Sequence, residues 1–63
     1  MRWTDPEAIQ FIKGISGVQR PLEIQSLEKE KRDDIIQKCK EKGLSIRQIE
    51  RLTGVSFGVI RRI

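Results

Sequence analysis

Histidine and tyrosine are missing from these 63 residues, and cysteine and tryptophan occur once each. Each absence closes a class of chemistry. Without histidine the chain lacks the commonest general base and the commonest metal ligand. Without tyrosine it has no phenolic nucleophile. The single thiol, Cys39, forms no internal disulfide, and with no histidine beside it a zinc site has no ligand set. Cys39 reads as a small buried hydrophobe in a reduced, intracellular setting. No apolar stretch approaches the length of a membrane span, and none reads as a signal peptide. Internal repeats and low-complexity segments are also lacking. A chain this short buries only about 60% of the surface that its unfolded form exposes, so one small domain with a thin stability margin is expected. It leaves no room for a substrate cleft between layers. No enzyme activity, cofactor, metal or small-molecule substrate is therefore expected, and no membrane partner.

What is present is positive charge, unevenly spread. Lys and Arg number 13 against 9 acidic residues, a net charge of +4. Residues 1–21 carry three basic and two acidic groups, and residues 22–42 carry six of each. Residues 43–63 carry four basic groups, Arg47, Arg51, Arg61 and Arg62, against the single acid Glu50. The excess lies at the C-terminal end, as it would on a face that meets phosphates.

That end, GLSIRQIERLTGVSFGVIRRI, reads as two short helices around a tight turn. Ser45-x-x-Gln48 has the form of a capping box: the hydroxyl accepts from an amide of the first turn and Gln48 reaches back to the Ser45 amide. Leu44 and Ile49 stand at the positions of a hydrophobic staple. Gly54 is placed to stop this helix in a left-handed conformation. Ser56 is a second N-cap. A last helix from Ser56 to Ile63 would turn Val59, Ile60 and Ile63 inward and Phe57, Arg61 and Arg62 outward. Helix, glycine-containing turn and short basic helix form the pattern of a DNA-reading helix-turn-helix.

Upstream, Thr4-Asp5-Pro6-Glu7 starts a helix in one of two frames. Thr4 with Glu7 fits a capping box; Asp5 with Pro6 fits an N-cap followed by proline at the first helical position. Ala8, Phe11, Ile12 and Ile15 form its apolar stripe, and Gly14 or Gly17 ends it. Trp3 and Phe11 are expected in the core. Residues 16–26 connect onward, with Pro21 excluding a continuous helix. A single turn in PLEIQSL would press Leu22 and Ile24 or Leu27 onto the core. A strong helix is expected from Leu27 to Lys42, with Glu28–Arg32 and Asp34–Lys38 pairs and a buried stripe of Arg32, Ile35, Ile36 and Cys39. Gly43 and Leu44 fit a Schellman ending. The expected architecture is all-α: a small three- to four-helix domain, with an N-terminal helix and connector in 1–26 and a trihelical core in 27–63.

The stretch KRDDIIQKCKEKGLSIRQIERLTGVSFGVIRRI resembles the C-terminal helix-turn-helix tail of REP-associated tyrosine transposase-like proteins. The most specific part is Gly43 to Gly54, with Ser45, Arg47, Gln48, Ile49, Leu52, Thr53 and Gly54. The upstream DPEAIQFIKGISG is similar to the tail's earlier helix. The resemblance implies a transposon-related DNA-binding module of bacterial type, cytoplasmic and nucleoid-associated. Its partner would be duplex or hairpin DNA. The family's strand transfer uses a histidine pair and a tyrosine on a separate, larger domain, and this chain has neither residue type. The resemblance therefore covers the tail and not the catalysis.

Candidate DNA-reading residues are Ser56, Phe57, Gly58, Arg61 and Arg62, and candidate backbone contacts are Arg47, Gln48 and Arg51, expected on the outer face of the first motif helix. Each has a plainer alternative. Ser56 caps a helix whatever else it does. Phe57 contacts a thymine methyl or an unpaired base, or packs against a neighbouring helix. Gly58 admits a phosphate backbone, or is a weakness in a short helix. Arg61 and Arg62 suit a helix C-terminus without any partner, and Arg51 could pair with a nearby acid. A rival function is a protein-interaction module that self-associates or inhibits a full-length transposase. Glu50, on the inner side of its helix, needs a partner. Arg32 across the helix pair is expected, with Arg47 or Arg51 on its own helix as the alternative.

Overall fold

The computed structural model describes residues 2–63. Four α-helices and one 3₁₀ helix follow one another: α1 Asp5–Ser16, the 3₁₀ helix Pro21–Ser26, α2 Lys29–Glu41, α3 Ile46–Thr53 and α4 Phe57–Arg62. The described residues contain no strand, so the fold is all-α.

Helix α1 begins in the Thr4 frame. The Thr4 hydroxyl accepts from the Glu7 amide at 3.4 Å, and Glu7 Oε1 accepts from the Thr4 amide at 3.1 Å and from its hydroxyl at 2.8 Å. These bonds, the hydroxyl's first and the amide's second, lower the pKa of Glu7 below its ordinary value. Gly17, not Gly14, ends the helix, with φ of 75° and its amide bonded to the Lys13 carbonyl. Nothing in the packing requires glycine at position 14.

The connector is more structured than a loop. Pro21 opens the 3₁₀ helix, and the Glu23 carboxylate accepts from the Arg20 amide at 2.7 Å. With about three residues per turn, Ile24 and Leu27 share one side. Ile24 is fully buried and Leu27 half-buried. Leu22, two residues before Ile24, points away and is 54% exposed, so it is not a core residue. The Leu27 amide closes the 3₁₀ helix on the Ile24 carbonyl, and Leu27 itself is extended, with φ of −74° and ψ of 161°. Helix α2 accordingly starts two residues later than the sequence pattern indicates, at Lys29.

In α2, Asp34 and Lys38 pair at 3.2 Å as expected. Arg32 instead turns to its neighbour Asp33, at 3.0 Å, and not to Glu28. The helix ends in a Schellman motif: the Leu44 amide reaches the Cys39 carbonyl and the Gly43 amide reaches the Lys40 carbonyl, with Gly43 at φ 98°.

Ten residues form the buried core: Ala8, Ile12, Ile24, Ile35, Ile36, Cys39, Leu44, Ile49, Val55 and Ile60. It draws on both the 1–26 segment and the 27–63 segment. Six of the ten are isoleucine, so the core is built from stiff β-branched aliphatic side chains. The aromatics lie at its edge. Trp3 and Phe11 are half-buried, with ring centroids 5.3 Å apart and planes tilted by 54°. Cys39 is fully buried, and desolvation pushes its thiol pKa up to about 11.

Candidate nucleic-acid interface

Helices α3 and α4 are short, of eight and six residues, and neither length is stable alone in water. Their surroundings hold them. Ser45 caps α3, accepting from the Gln48 amide at 3.1 Å. Thr53, fully buried, donates its hydroxyl to the Ile49 carbonyl at 2.6 Å and accepts from the Val55 amide at 3.2 Å. Gly54 then turns the chain at φ 76°. The backbone angle is what calls for glycine here; a Cβ would also stand 2.8 Å from Gln25 Nε2, the end of an exposed side chain that can move aside.

Helix α4 is fastened at both ends. Ser56 accepts from the Val59 amide at 3.4 Å, and Glu50 Oε2 accepts from the Phe57 amide at 3.0 Å. At the other end the Lys40 ammonium donates to the Ile60 carbonyl at 3.1 Å. An anion at the N-terminus and a cation at the C-terminus complement the helix dipole. Ile60 is buried beneath, with Val59 and Ile63 half-buried. The helix packs chiefly on α3.

This geometry corrects the expected Arg32–Glu50 pair. Glu50 serves the first amide of α4, and Arg32 is occupied by Asp33. Nor does Glu50 reach sideways to Arg47 or Arg51. The free amide of the next helix lay closer than any guanidinium and offered a directed hydrogen bond.

The outward face of α4 presents Phe57, Gly58, Arg61 and Arg62 together, one above another at spacings of four. Phe57 is 39% exposed. A Cβ on Gly58 would meet no protein atom, so the fold itself does not call for glycine there. Arg61 and Arg62 are exposed and have no carboxylate within ion-pair distance among the described residues. Ser56 is exposed but committed to its cap.

The three candidates on α3 divide. Arg47 is exposed and unpaired among the described residues. Arg51 is exposed and meets Asp5 Oδ1 at 2.7 Å. Gln48 is not on the outer face: it is 8% exposed. Its side-chain amide donates to the Trp3 carbonyl at 2.9 Å and to Asp5 Oδ1 at 3.2 Å. It therefore does not close the second half of the Ser45 capping box, and it is not available to a phosphate. The reason is the N-terminal segment, which lies against α3. Trp3 also donates its indole N–H to the Lys42 carbonyl at 3.0 Å, satisfying one of the open carbonyls at the end of α2.

An open depression results, with Arg2, Trp3 and Asp5 contributed by the N-terminal segment and Ser45, Arg47, Glu50, Arg51 and Phe57 by α3 and its flanks. Sequence reasoning missed the N-terminal contribution. One signal was available: if Thr4 caps α1, the Asp5 carboxylate is released for another partner. Among the described residues no three Cys, Asp or Glu side chains gather as a metal ion would need, and no buried side-chain polar atom lacks a hydrogen bond. No helix among them is long and apolar enough to cross a membrane.

Compared with protein-family models, with curated proteins and with solved structures, the chain matches none.

Proposed function

We propose that this domain binds double-stranded DNA, as duplex or hairpin, with α4 in the major groove and Arg47 and Arg51 of α3 on the phosphate backbone. The observation that carries the reading is the outward face of α4. Two unpaired arginines, an exposed aromatic ring and a glycine with open space above it stand on one helix that neighbouring side chains hold at both ends. Four exposed arginines against one acid in residues 43–63 supply the electrostatic half of the interaction. The likeness of residues 43–54 to the tail of REP-associated tyrosine transposase-like proteins supports the same reading. It is that of a transposon-related binding module without catalysis of its own, in the cytoplasm and on the nucleoid. A six-residue reading helix offers few contacts. Binding by a single copy is expected to be weak, with Kd of about 10⁻⁴ to 10⁻⁶ M at physiological salt.

The test is an amide-shift titration with duplex and hairpin DNA at two salt concentrations. The largest shifts should fall on Arg47 and on Ser56 to Arg62, and a cluster on Ala8 to Ile15 would reject this face. Arg62→Ala separates the roles of its side chain. A phosphate contact predicts an equal loss on all sequences and a salt slope shallower by about one unit; a base contact predicts a loss of about 1–3 kcal/mol on the preferred site only.

A second reading, a protein-contact module that self-associates or inhibits a full-length transposase, is favoured by the exposed side chains of Phe57 and Leu22. Salt discriminates. Four phosphate contacts give a log–log slope of roughly −3 to −4, whereas an apolar protein contact is nearly flat.

A further inference from the structure

The N-terminal segment enters the candidate interface in a way that the helix-turn-helix pattern does not contain. Two polar groups of Trp3 are fixed: its indole N–H on the Lys42 carbonyl and its own carbonyl on the Gln48 amide. Arg2 is therefore held at the rim of the depression that Arg47 and Arg51 line from α3. Arg2 is exposed, and like Arg47 it has no carboxylate within ion-pair distance among the described residues. Inside the depression two donors from α3, the Arg51 guanidinium and the Gln48 amide, converge on a single oxygen, Asp5 Oδ1. The Asp5–Arg51 pair is open to water, with side-chain exposures of 41% and 63%, so it contributes little and opens easily.

We infer that this depression is a phosphate-contact site, that Arg2 is a DNA-binding residue within it, and that Asp5 is an internal anion from which Arg51 is released when a backbone phosphate arrives. The inference rests on the DNA-binding reading and deepens it. A phosphate at the rim would meet Arg2, Arg47 and Arg51 together, and the Glu50 carboxylate that also lines the depression is engaged by the Phe57 amide. Arg51 exchanges a carboxylate for a phosphate, while Gln48 keeps Trp3 and hence Arg2 in place. Asp5 thus weakens binding in two ways: it competes for Arg51, and it repels the incoming anion.

The experiment measures binding of the full chain to a random-sequence duplex over a series of salt concentrations, for the parent, Asp5→Asn, Arg2→Gln and Arg61→Gln. Thermal melts verify that each variant is folded. Thr4, not Asp5, caps α1, and Arg2 makes no internal ion pair, so both changes leave the fold standing. Asp5→Asn should tighten binding about two- to five-fold. Arg2→Gln should weaken it about three- to ten-fold at moderate salt and make the salt slope shallower by about one unit. If the parent binds and responds to Arg61→Gln, but Arg2→Gln and Asp5→Asn match the parent, this inference fails and the DNA-binding reading stands. If the parent does not bind DNA at all, both fall.

Discussion

The chain writes the same helix-start formula twice, Thr4-x-x-Glu7 and Ser45-x-x-Gln48, and the two ends behave differently. In both, the hydroxyl accepts from the amide three residues on. At α1 the Glu7 carboxylate completes the box on the Thr4 amide. At α3 the Gln48 side chain turns away to Trp3 and Asp5. The first half of a capping box is local: one side chain reaching a backbone group fixed by the helix itself. The second half uses a long side chain with several rotamers, and the best partner within its reach wins. Glu7 lies at the surface with no donor better than Thr4. Gln48 faces an N-terminal segment that offers a carbonyl and a carboxylate oxygen, and its amide can donate to both. One end stabilises a helix and nothing else. The other stitches residues 3–5 to α3 and so shapes the candidate interface.

The sharpest way to break this comparison is to give both ends the same residue. Gln48→Glu makes the α3 formula match that of α1. If local sequence ruled, the box would close and stability would hold or rise. The expected result is a loss of about 2–4 kcal/mol, because the change removes two donated hydrogen bonds and places a carboxylate beside the Trp3 carbonyl and the Asp5 carboxylate. Urea denaturation measures it, and the indole N–H resonance of Trp3 should move with it. Combining the change with Asp5→Asn should recover part of the loss, since one of the repelling charges is then gone.

A smaller effect probes the other carboxylate that caps a helix from outside it. Glu50 serves the first amide of α4 from α3. Glu50→Ala should cost about 1 kcal/mol, the usual worth of an N-terminal cap or of an anion at a helix start. The loss should appear first as faster amide exchange in α4. Arg32→Met should cost no more than about 1 kcal/mol, since it removes a partly shielded contact between neighbours on one helix. The two losses should add. A coupling well above about 0.5 kcal/mol would restore an Arg32–Glu50 interaction.

Legibility in the sequence followed the same line between local and distant. The caps at Ser45 and Ser56, the left-handed glycines 43 and 54, and the apolar stripes were readable, because each depends on a few consecutive residues, whereas at α1 the sequence left two capping frames and two stopping glycines open. So was the exposure of Arg61 and Arg62, which follows from Ile60 being inward. The 3₁₀ helix was legible as a turn, but its buried side was not, since Leu22 and Ile24 differ only in how the turn is wound. What could not be read were contacts between elements far apart in the chain. Trp3 and Asp5 reach Gln48 and Arg51 across more than 40 residues, and no pattern within either segment names the other. Glu50 was recognised as needing a partner, but the choice between a guanidinium and a backbone amide depends on helix placement to within an ångström or so.

The smallest expected effect lies at the box that closed. The hydrogen bonds from Thr4 favour the ionised form of Glu7 and lower its folded pKa beneath 4.5. A group depressed in this way contributes stability above its unfolded value and loses it as pH falls through the folded value. The parent should therefore lose a small increment of stability below pH 4.5, with the α1 amides near Thr4 fraying first. Glu7→Gln retains an oxygen that accepts from the Thr4 amide and cannot be protonated in this range. It should abolish that increment while leaving stability at neutral pH nearly unchanged. Because the carboxylate is fully exposed, solvent screens the contact and the difference will be slight. Urea midpoints of parent and variant, followed from neutral pH down through the carboxylate range, give the comparison directly. Curves that run parallel throughout would show that the charge of Glu7 adds nothing to the completed box at α1.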